Sequence, residues 1–98
     1  MATHSVVFNS LARSQFLDLV GSSLDSGPLS DVTRAMRESI QLLTHAPRLV
    51  GNPMYSLRAA KLDVFNMTHG SLYIDYGVHE SEPLVVVRFV ASFRGQVE

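Results

Sequence analysis

The sequence has 98 residues, which suits a single domain with one hydrophobic core. It contains no cysteine, so disulfide frameworks and thiolate metal sites are excluded. The formal net charge is −1, which argues against a dedicated nucleic-acid-binding domain, since such domains normally present a concentrated basic surface. No apolar run approaches the roughly 20 residues of a membrane span, and the N-terminus lacks a basic signal-peptide start. We therefore expect a cytoplasmic protein with no membrane partner.

The N-terminal half predicts a short strand and two helices. Residues 4–8 form a β-prone run, and Asn9 or Ser10 can cap the helix that follows. The residues expected on the buried side of this helix are Leu11, Phe16, Leu17, Val20 and Leu24, with Arg13, Gln15 and Asp18 outside. Ser30 is the expected N-cap of the second helix, which ends before Pro47. Its buried stripe is expected to contain Val32, Met36, Ile40 and Leu43.

The segment from Pro47 to Tyr55 is expected to be a loop with an unusual number of apolar side chains. These are Leu49, Val50, Met54 and Tyr55. Such a loop either covers the core or offers a groove to a helix or strand of a partner protein. The sequence leaves both interpretations open.

Residues 57–90 predict a meander of three strands. The first is ambiguous, because residues 62–66 favour a strand whereas residues 58–61 are either a bulged start or a helical turn. Residues 68–70 turn the chain into a second strand, in which residues 71–78 alternate between apolar and other types. A charged segment containing Pro83 ends this pattern, and the valine-rich run 84–90 completes a β-hairpin.

The register of this hairpin can be predicted from a single charge. Burying Arg88 without a partner is costly, so Arg88 should face outward. The odd positions of the last strand should then face the core; they are Val85, Val87, Phe89, Ala91 and Phe93. A register that places Val78 opposite Val85 also places Asp75 directly opposite Arg88. Tyr73, Asp75 and Arg88 then share the other face of the sheet.

Together these elements predict one α+β domain over residues 1–94, followed by a loose C-terminal tail at residues 95–98. Two N-terminal helices pack on one face of a mainly antiparallel sheet, in the order β-α-α-β-β-β. The first strand joins the meander at an edge or beside the last strand, and the sequence favours neither placement.

The exposed sheet face is the only predicted surface that combines acidic, basic and aromatic residues, with His69 or Asp63 as further members. In a functional interpretation His69 carries protons and Tyr73 stacks on a base. Arg88 and Arg94 then bind phosphate. In the plainer interpretation Arg88 only forms a surface ion pair with an acid, beside Tyr73, and His69 is a turn residue. The four histidines lack metal-binding spacing and no phosphate-binding glycine loop occurs, so we expect no metal and no cofactor.

Four sequence features occur together in a known family. They are the run 6–8 before a helix, the loop 47–53 with its glycine and prolines, the stretch from Gly70 to Val78 before a valine-rich strand, and the terminal Arg94. In this order they resemble the RelE/ParE superfamily of small toxins from bacterial type II toxin–antitoxin systems. The resemblance covers nearly the whole chain and rests on hydrophobic patterns.

The resemblance implies a toxin whose exposed sheet face cleaves mRNA in the ribosome or engages DNA gyrase, and which a cognate antitoxin silences by wrapping around it. In the ribonuclease members the ribose 2′-hydroxyl attacks its own phosphate, helped by a base and by cations. Here Tyr73 stands where the family commonly has an arginine, and the cations of the second strand are reduced to Arg58 and Lys61. The catalytic residues that the resemblance implies are Arg88, Arg94, His69, Tyr73 and Lys61.

With these catalytic residues, the resemblance implies a ribosome-dependent endoribonuclease, or mRNA interferase, with a degenerate active site. The competing interpretation is a non-catalytic interaction module. Such a module binds another protein through an exposed sheet edge or through the apolar loop that contains Leu49, Val50, Met54 and Tyr55.

Overall fold

The computed structural model of the protein describes residues 3–26 and 29–92, with the backbone alone for residues 22–26 and 29–31. The elements in chain order are strand β1 (Ser5–Phe8), helices α1 (Ser10–Ser26), α2 (Leu29–His45) and α3 (Pro47–Val50), and strands β2 (Asn52–Leu57), β3 (Leu62–His69), β4 (Leu72–His79) and β5 (Leu84–Ser92). The strands of this part of the chain form one sheet in the order β1-β5-β4-β3-β2. All neighbours are antiparallel except β1 and β5, so the predicted α+β class with a mainly antiparallel sheet is confirmed.

Strand β1 lies at an edge of the sheet and also beside the last strand. It runs parallel to β5, with Val6 opposite Val85. Parallel neighbours need a long crossover connection, and the helices and meander between β1 and β5 supply it. This finding settles the placement that the sequence left open.

The predicted element order was incomplete, because residues 47–55 are not a loop. They lie in the short helix α3 and in the edge strand β2, whose one neighbour among the described strands is β3. The sequence did not reveal β2 because it is exposed along nearly its whole length and so lacks an inward-facing apolar set. Pro53, which lacks a backbone N–H, also lowers the strand signal, although proline is tolerated at a sheet edge.

A β-bulge changes the predicted register of the hairpin formed by β4 and β5. Val78 lies opposite Val85, as predicted. Further along, Asp75 lies opposite Phe89 and not opposite Arg88, which is the extra residue of the bulge. The predicted outward orientation of Arg88 is retained, but its direct cross-strand partner was predicted wrongly.

The bulge also reverses the alternation of β5. Phe89 is 37% exposed, whereas Val90 is only 2% exposed. The prediction that odd positions face the core therefore holds for Val85 and Val87 and is wrong at Phe89. One inserted residue flips every later side chain to the other face, because side chains alternate along a strand. Phe93, the last position of that prediction, lies outside the described residues.

Helix α1 buries only part of the predicted side, because Phe16 packs against the core as expected whereas other members of that side are exposed. Ala12 is fully buried, while Leu11 and Leu17 are 55% and 59% exposed. Gln15, predicted to lie outside, accepts a hydrogen bond of 2.8 Å from the backbone N–H of Val90. Strand β1 ends opposite residue 87 and offers this N–H no partner, so the need to satisfy it turns Gln15 toward the sheet. The side chain of Leu24 lies outside the described part of the chain.

Helix α2 packs as the sequence predicts. Val32, Met36 and Leu43 are buried, and Ile40 is partly buried against the core. Ser39 is also buried, and its hydroxyl donates a hydrogen bond of 2.7 Å to the carbonyl oxygen of Ala35, which satisfies it within the helix. Helices α1 and α2 contact each other and cover one face of the sheet.

Tyr76 connects the sheet to α3. Its ring is fully buried and stacks on Phe65, with the ring centroids 5.6 Å apart. Its hydroxyl donates a hydrogen bond of 2.5 Å to the carbonyl oxygen of Pro47, and burial raises the pKa of Tyr76 to about 12. Gly51 lies against the same hydroxyl, where a β-carbon would collide with it. The contact holds the turn from α3 into β2 against the core.

We predict opposite effects of alanine at two glycines. Gly51→Ala should destabilise the protein by about 1–3 kcal/mol, because the new β-carbon meets Tyr76 and lies 2.9 Å from the carbonyl oxygen of Asn66. Gly21→Ala meets open space within α1 and should stabilise by about 0.5–1 kcal/mol. Urea unfolding followed by circular dichroism measures both changes. Equal effects at the two positions would contradict the packing described.

Candidate functional site

We call the sheet surface opposite α1 and α2 the open face. On β4, the buried residues Leu72, Ile74 and Tyr76 alternate with Tyr73 and Asp75, which therefore point away from the helices. The other members of the open face are Tyr55 on β2, Asn66 and Thr68 on β3, and Arg88 and Phe89 on β5. This surface gathers side chains from four strands.

Arg88 is held by two neighbours on the open face. Its Nη1 lies 3.3 Å from Asp75 Oδ1 and 3.4 Å from Tyr55 Oη. Tyr55 reaches it from β2, at the far edge of the sheet beyond β3 and β4. The hydrogen bond with Tyr55 raises the pKa of Arg88 most, and Asp75 adds to the effect. Arg88 is the only lysine or arginine within the described strands, and a carboxylate offsets its charge.

Asp75 lies in a partly dry environment. Its side chain is 18% exposed, and desolvation raises the pKa of Asp75 above its usual value. The nearby guanidinium of Arg88 opposes this shift without reversing it. Asp75 therefore holds its proton more strongly in the folded protein than a solvated aspartate does.

An aromatic pair lies beside Arg88. Tyr73 and Phe89 contact each other edge to face, with ring centroids 6.0 Å apart and an angle of 70° between the rings. Phe89 remains partly exposed. Such a surface can stack on a nucleic-acid base or pack against apolar side chains of a protein.

His69 and Asp63 lie on the helix side of the sheet, so the suggestion that they join the open face was wrong. His69 Nε2 lies 2.8 Å from Glu38 Oε1 on α2. Asp63 binds Arg48 of α3 at 2.9 Å. A hydrogen bond from Ser56 and the contact with Arg48 lower the pKa of Asp63. Both residues are odd positions of β3, whereas the even positions of β3 face the other way.

Lys61 lies in the turn between β2 and β3, with a left-handed φ of 56°. Strand β3 separates it from His69 and spans eight residues, about 26 Å at about 3.3 Å per residue. Arg94 lies outside the described residues. Of the predicted catalytic residues, the structure brings Arg88 and Tyr73 together and places His69 and Lys61 elsewhere.

The four predicted partner-binding residues do not form one patch. Leu49 is 87% exposed on α3, while Val50 packs against the core. Met54 and Tyr55 are about half exposed on β2. The sulfur of Met54 lies 3.1 Å from Asn66 Nδ2. The segment of α3 and β2 therefore covers the core with Val50 and also leaves apolar side chains exposed, so each of the two interpretations applies to part of it.

An apolar groove that the sequence did not reveal lies beside β1. It has a volume of about 400 Å³ and is lined by β1, by Phe16 and Leu17 of α1 and by Met36 and Ile40 of α2. Arg13 is its charged lining residue. The groove was not predicted because Leu17 was assigned to the core.

Within residues 3–26 and 29–92, no three His, Asp or Glu side chains are arranged to hold a metal ion. The helices of the same residues lack the combination of length and apolar character that a bilayer crossing requires.

Neither a family model nor a curated protein matches the chain. Among solved structures it is similar to a chain of a RelBE toxin–antitoxin complex from Mycobacterium tuberculosis, with 21% identity, a TM-score of 0.70 and coverage of 94% of this chain and 93% of that chain. It is also similar to a chain of the archaeal RelE–RelB complex from Pyrococcus horikoshii OT3, with 17% identity, a TM-score of 0.66 and coverage of 97% and 99%. The chain has the RelE/ParE fold.

The protein is also similar to a chain from the chromosomal ParDE toxin–antitoxin system of P. aeruginosa, with 8% identity, a TM-score of 0.63 and coverage of 91% of this chain and 95% of that chain. Within residues 3–26 and 29–92, the helices of the present protein cover one face of the sheet and leave the other uncovered. The open face, with Arg88 and Tyr73, is therefore its candidate functional site.

We predict that Asp75→Asn stabilises the protein at pH 7 and has no effect at pH 3. The pKa of Asp75 is raised in the folded state, so the folded protein binds the proton of this carboxyl more tightly than the unfolded chain does. Protonation of Asp75 therefore favours folding. This contribution to the stability is fully present below pH 3.8, the pKa of aspartate in the unfolded chain. It is lost as the pH rises through the higher pKa that Asp75 has in the folded protein. Asparagine resembles the protonated form at every pH. Urea unfolding at pH 3, 5 and 7 measures the difference.

Asp63→Asn is the matched control and has the opposite sign. The pKa of Asp63 is lowered on folding, so its carboxylate contributes stability above the unfolded pKa that is lost as pH falls through the folded pKa. Asp63→Asn should therefore be less stable than the wild type at pH 7. If Asp75→Asn behaved in the same way at pH 7, the description of Asp75 as a desolvated acid would be wrong.

Proposed function

We propose that this protein is the toxin, or a toxin-derived component, of a type II toxin–antitoxin system, and that a cognate antitoxin is its partner. The observation that supports the proposal is the extent of the fold match. At least 91% of this chain and 93% of each matched chain correspond, and the matched chains come from RelBE, RelE–RelB and ParDE toxin–antitoxin structures. We propose a cytoplasmic location, where the ribosome and DNA gyrase are found.

We further propose that the open face contacts the target. The residues proposed for RNA cleavage are Arg88, Tyr73, Arg94, His69 and Lys61. Cleavage at a phosphate needs cations around the developing charge and a base within reach. The charge of Arg88 is offset by Asp75, and His69 is paired with Glu38 on the helix side. These observations favour a degenerate mRNA interferase site.

A second candidate function is a non-catalytic interaction module, which the composition of the open face favours. Exposed aromatic side chains and a partly desolvated arginine are the residue types enriched in protein interfaces. Tyr73, Phe89 and Arg88 provide them on one surface. A partner protein would contact these side chains without a phosphate-binding site.

We predict that expression of the protein in a bacterium arrests growth. An antitoxin encoded by a small gene next to the gene of this protein should relieve the arrest when it is co-expressed. Arg88→Ala should abolish the arrest, because it removes the cation at the centre of the open face. Arg37→Ala is the matched control, since Arg37 is exposed on α2 away from this face. Growth curves with induced expression measure the effect. Absence of arrest by the soluble wild-type protein would overturn the toxin proposal.

The same cells distinguish three cases, which are an mRNA interferase, a toxin that acts on gyrase and a non-catalytic module. Ribosome-associated mRNA fragments that disappear with Arg88→Ala indicate the interferase. Stabilised DNA breaks without mRNA fragments indicate a gyrase target. A neighbouring product that binds the protein when neither damage nor growth arrest occurs indicates the non-catalytic module.

A further inference from the structure

One methionine of the edge strand β2 is accessible to oxidants. The sequence has four methionines, and the structure describes the side chains of three of them. Met54 is 46% exposed, whereas Met36 and Met67 are 3% and 5% exposed in the core. An oxidant must reach the thioether sulfur before it can react. Of these three side chains, Met54 is therefore the one that an oxidant in solution reaches while the protein stays folded.

The β-bulge of β2 gives Met54 its position. Met54 is the extra residue of the bulge, since its neighbours Pro53 and Tyr55 lie opposite consecutive residues of β3. Met54 also lines a cavity of about 240 Å³. A water molecule takes about 30 Å³ of the liquid, so a molecule as small as hydrogen peroxide fits beside this side chain.

The sulfur of Met54 borders the open face. Asn66 Nδ2 donates a hydrogen bond of 3.1 Å to its Sδ, and Asn66 lies opposite Asp75 in the pairing of β3 with β4. Met54 also directly precedes Tyr55 in the chain. Asp75 and Tyr55 are the two neighbours that hold Arg88. A change at the sulfur therefore reaches both partners of the central cation of this face.

We propose that Met54 is a modification site at which a peroxide changes the contacts of the open face. The sulfur attacks one peroxide oxygen, so an S–O bond forms as the O–O bond breaks, and the second oxygen leaves with both protons as water. Sulfur gives up two electrons and the peroxide is reduced. The weakly accepting thioether becomes a polar sulfoxide. The new oxygen does not fit between Sδ and Asn66 Nδ2 at 3.1 Å, so Met54 and Asn66 rearrange.

Oxidation of Met54 lowers the activity of the open face toward its target, a consequence that rests on the proposed function. The sulfoxide replaces an adaptable apolar side chain with a polar one beside Tyr55 and so weakens packing against the target. Methionine sulfoxide reductases, one for each epimer, return the thioether. Because β2 lies at an edge of the sheet, the sulfoxide stays accessible to such an enzyme.

The first test treats the full-length protein with dilute hydrogen peroxide and locates the added oxygen by mass spectrometry. Trypsin places the four methionines on separate peptides, because at least one arginine lies between each and the next. In the folded protein Met54 should oxidise about tenfold faster than Met36 and Met67, whose sulfurs are buried. In concentrated urea the three rates should be equal. Equal rates in the folded protein would overturn the proposal.

The second test follows the side-chain N–H signals of Asn66 and Arg88 by NMR in protein labelled with ¹⁵N. Formation of the sulfoxide should shift both signals, and reductase treatment should return them. Met54→Leu is the matched control, because leucine has a similar volume and is not oxidised by peroxide. Signals that stay in place in the wild type, or that shift equally in Met54→Leu, would refute the connection between Met54 and the open face.

The growth assay tests the effect on activity. Met54→Gln carries a polar side chain of similar length and should lose most of the growth arrest that Met54→Leu produces at equal expression. Equal arrest by the two variants would refute the effect of oxidation on activity. Absence of arrest by the wild type would overturn the proposed function together with this effect. The oxidation site would still stand or fall by the first two tests, because neither depends on growth arrest.

Discussion

The pairing of β4 with β5 controls both faces of the sheet. Toward the helices, Ile74 and Val87 are fully buried in the core. The extra residue in β5 keeps Arg88 and Phe89 on the open face and returns Val90 to the core. Without the bulge, continued alternation would place Phe89 inward and Val90 outward. The bulge therefore determines which side chains reach the open face as well as which ones form the core.

The core and the open face are connected through Tyr76. Its buried hydroxyl binds the carbonyl oxygen of Pro47 and lies against Gly51, so it positions α3 and the start of β2. Strand β2 in turn carries Tyr55, whose hydroxyl contacts Arg88. A change at this buried contact should therefore shift Tyr55 and alter its contact with Arg88, although Tyr76 itself does not reach the open face.

Regular packing was predictable from the sequence, and features that depend on distant parts of the chain were not. The stripe of α2 and the pairing of Val78 with Val85 follow from periodicity and from the position of turns. The proximity of Asp75 and Arg88 follows from the cost of burying a charge, although the bulge between their strands has no local signal. Gln15 turns inward to satisfy a backbone group 75 residues away, which no helical pattern can reveal.

The candidate site was predictable in composition and only partly in geometry. Tyr73 and Arg88 share a face because strand parity places them there. His69 was misplaced because its neighbours Thr68 and Gly70 read as a turn, whereas β3 continues through His69 and directs its side chain toward Glu38. Tyr55 was assigned to a loop, so its contact with Arg88 could not be anticipated.

The central claim is that the cation of the open face is offset by its own carboxylate, so that this face binds RNA phosphates weakly. The most direct test is the salt dependence of binding to single-stranded RNA, because each phosphate contact contributes a slope of about −0.7 in log K against log salt. We expect a slope near zero for the wild type and a steeper slope for Asp75→Asn, which releases Arg88. A wild-type slope that corresponds to several phosphate contacts and falls by about one contact in Arg88→Ala would contradict the account.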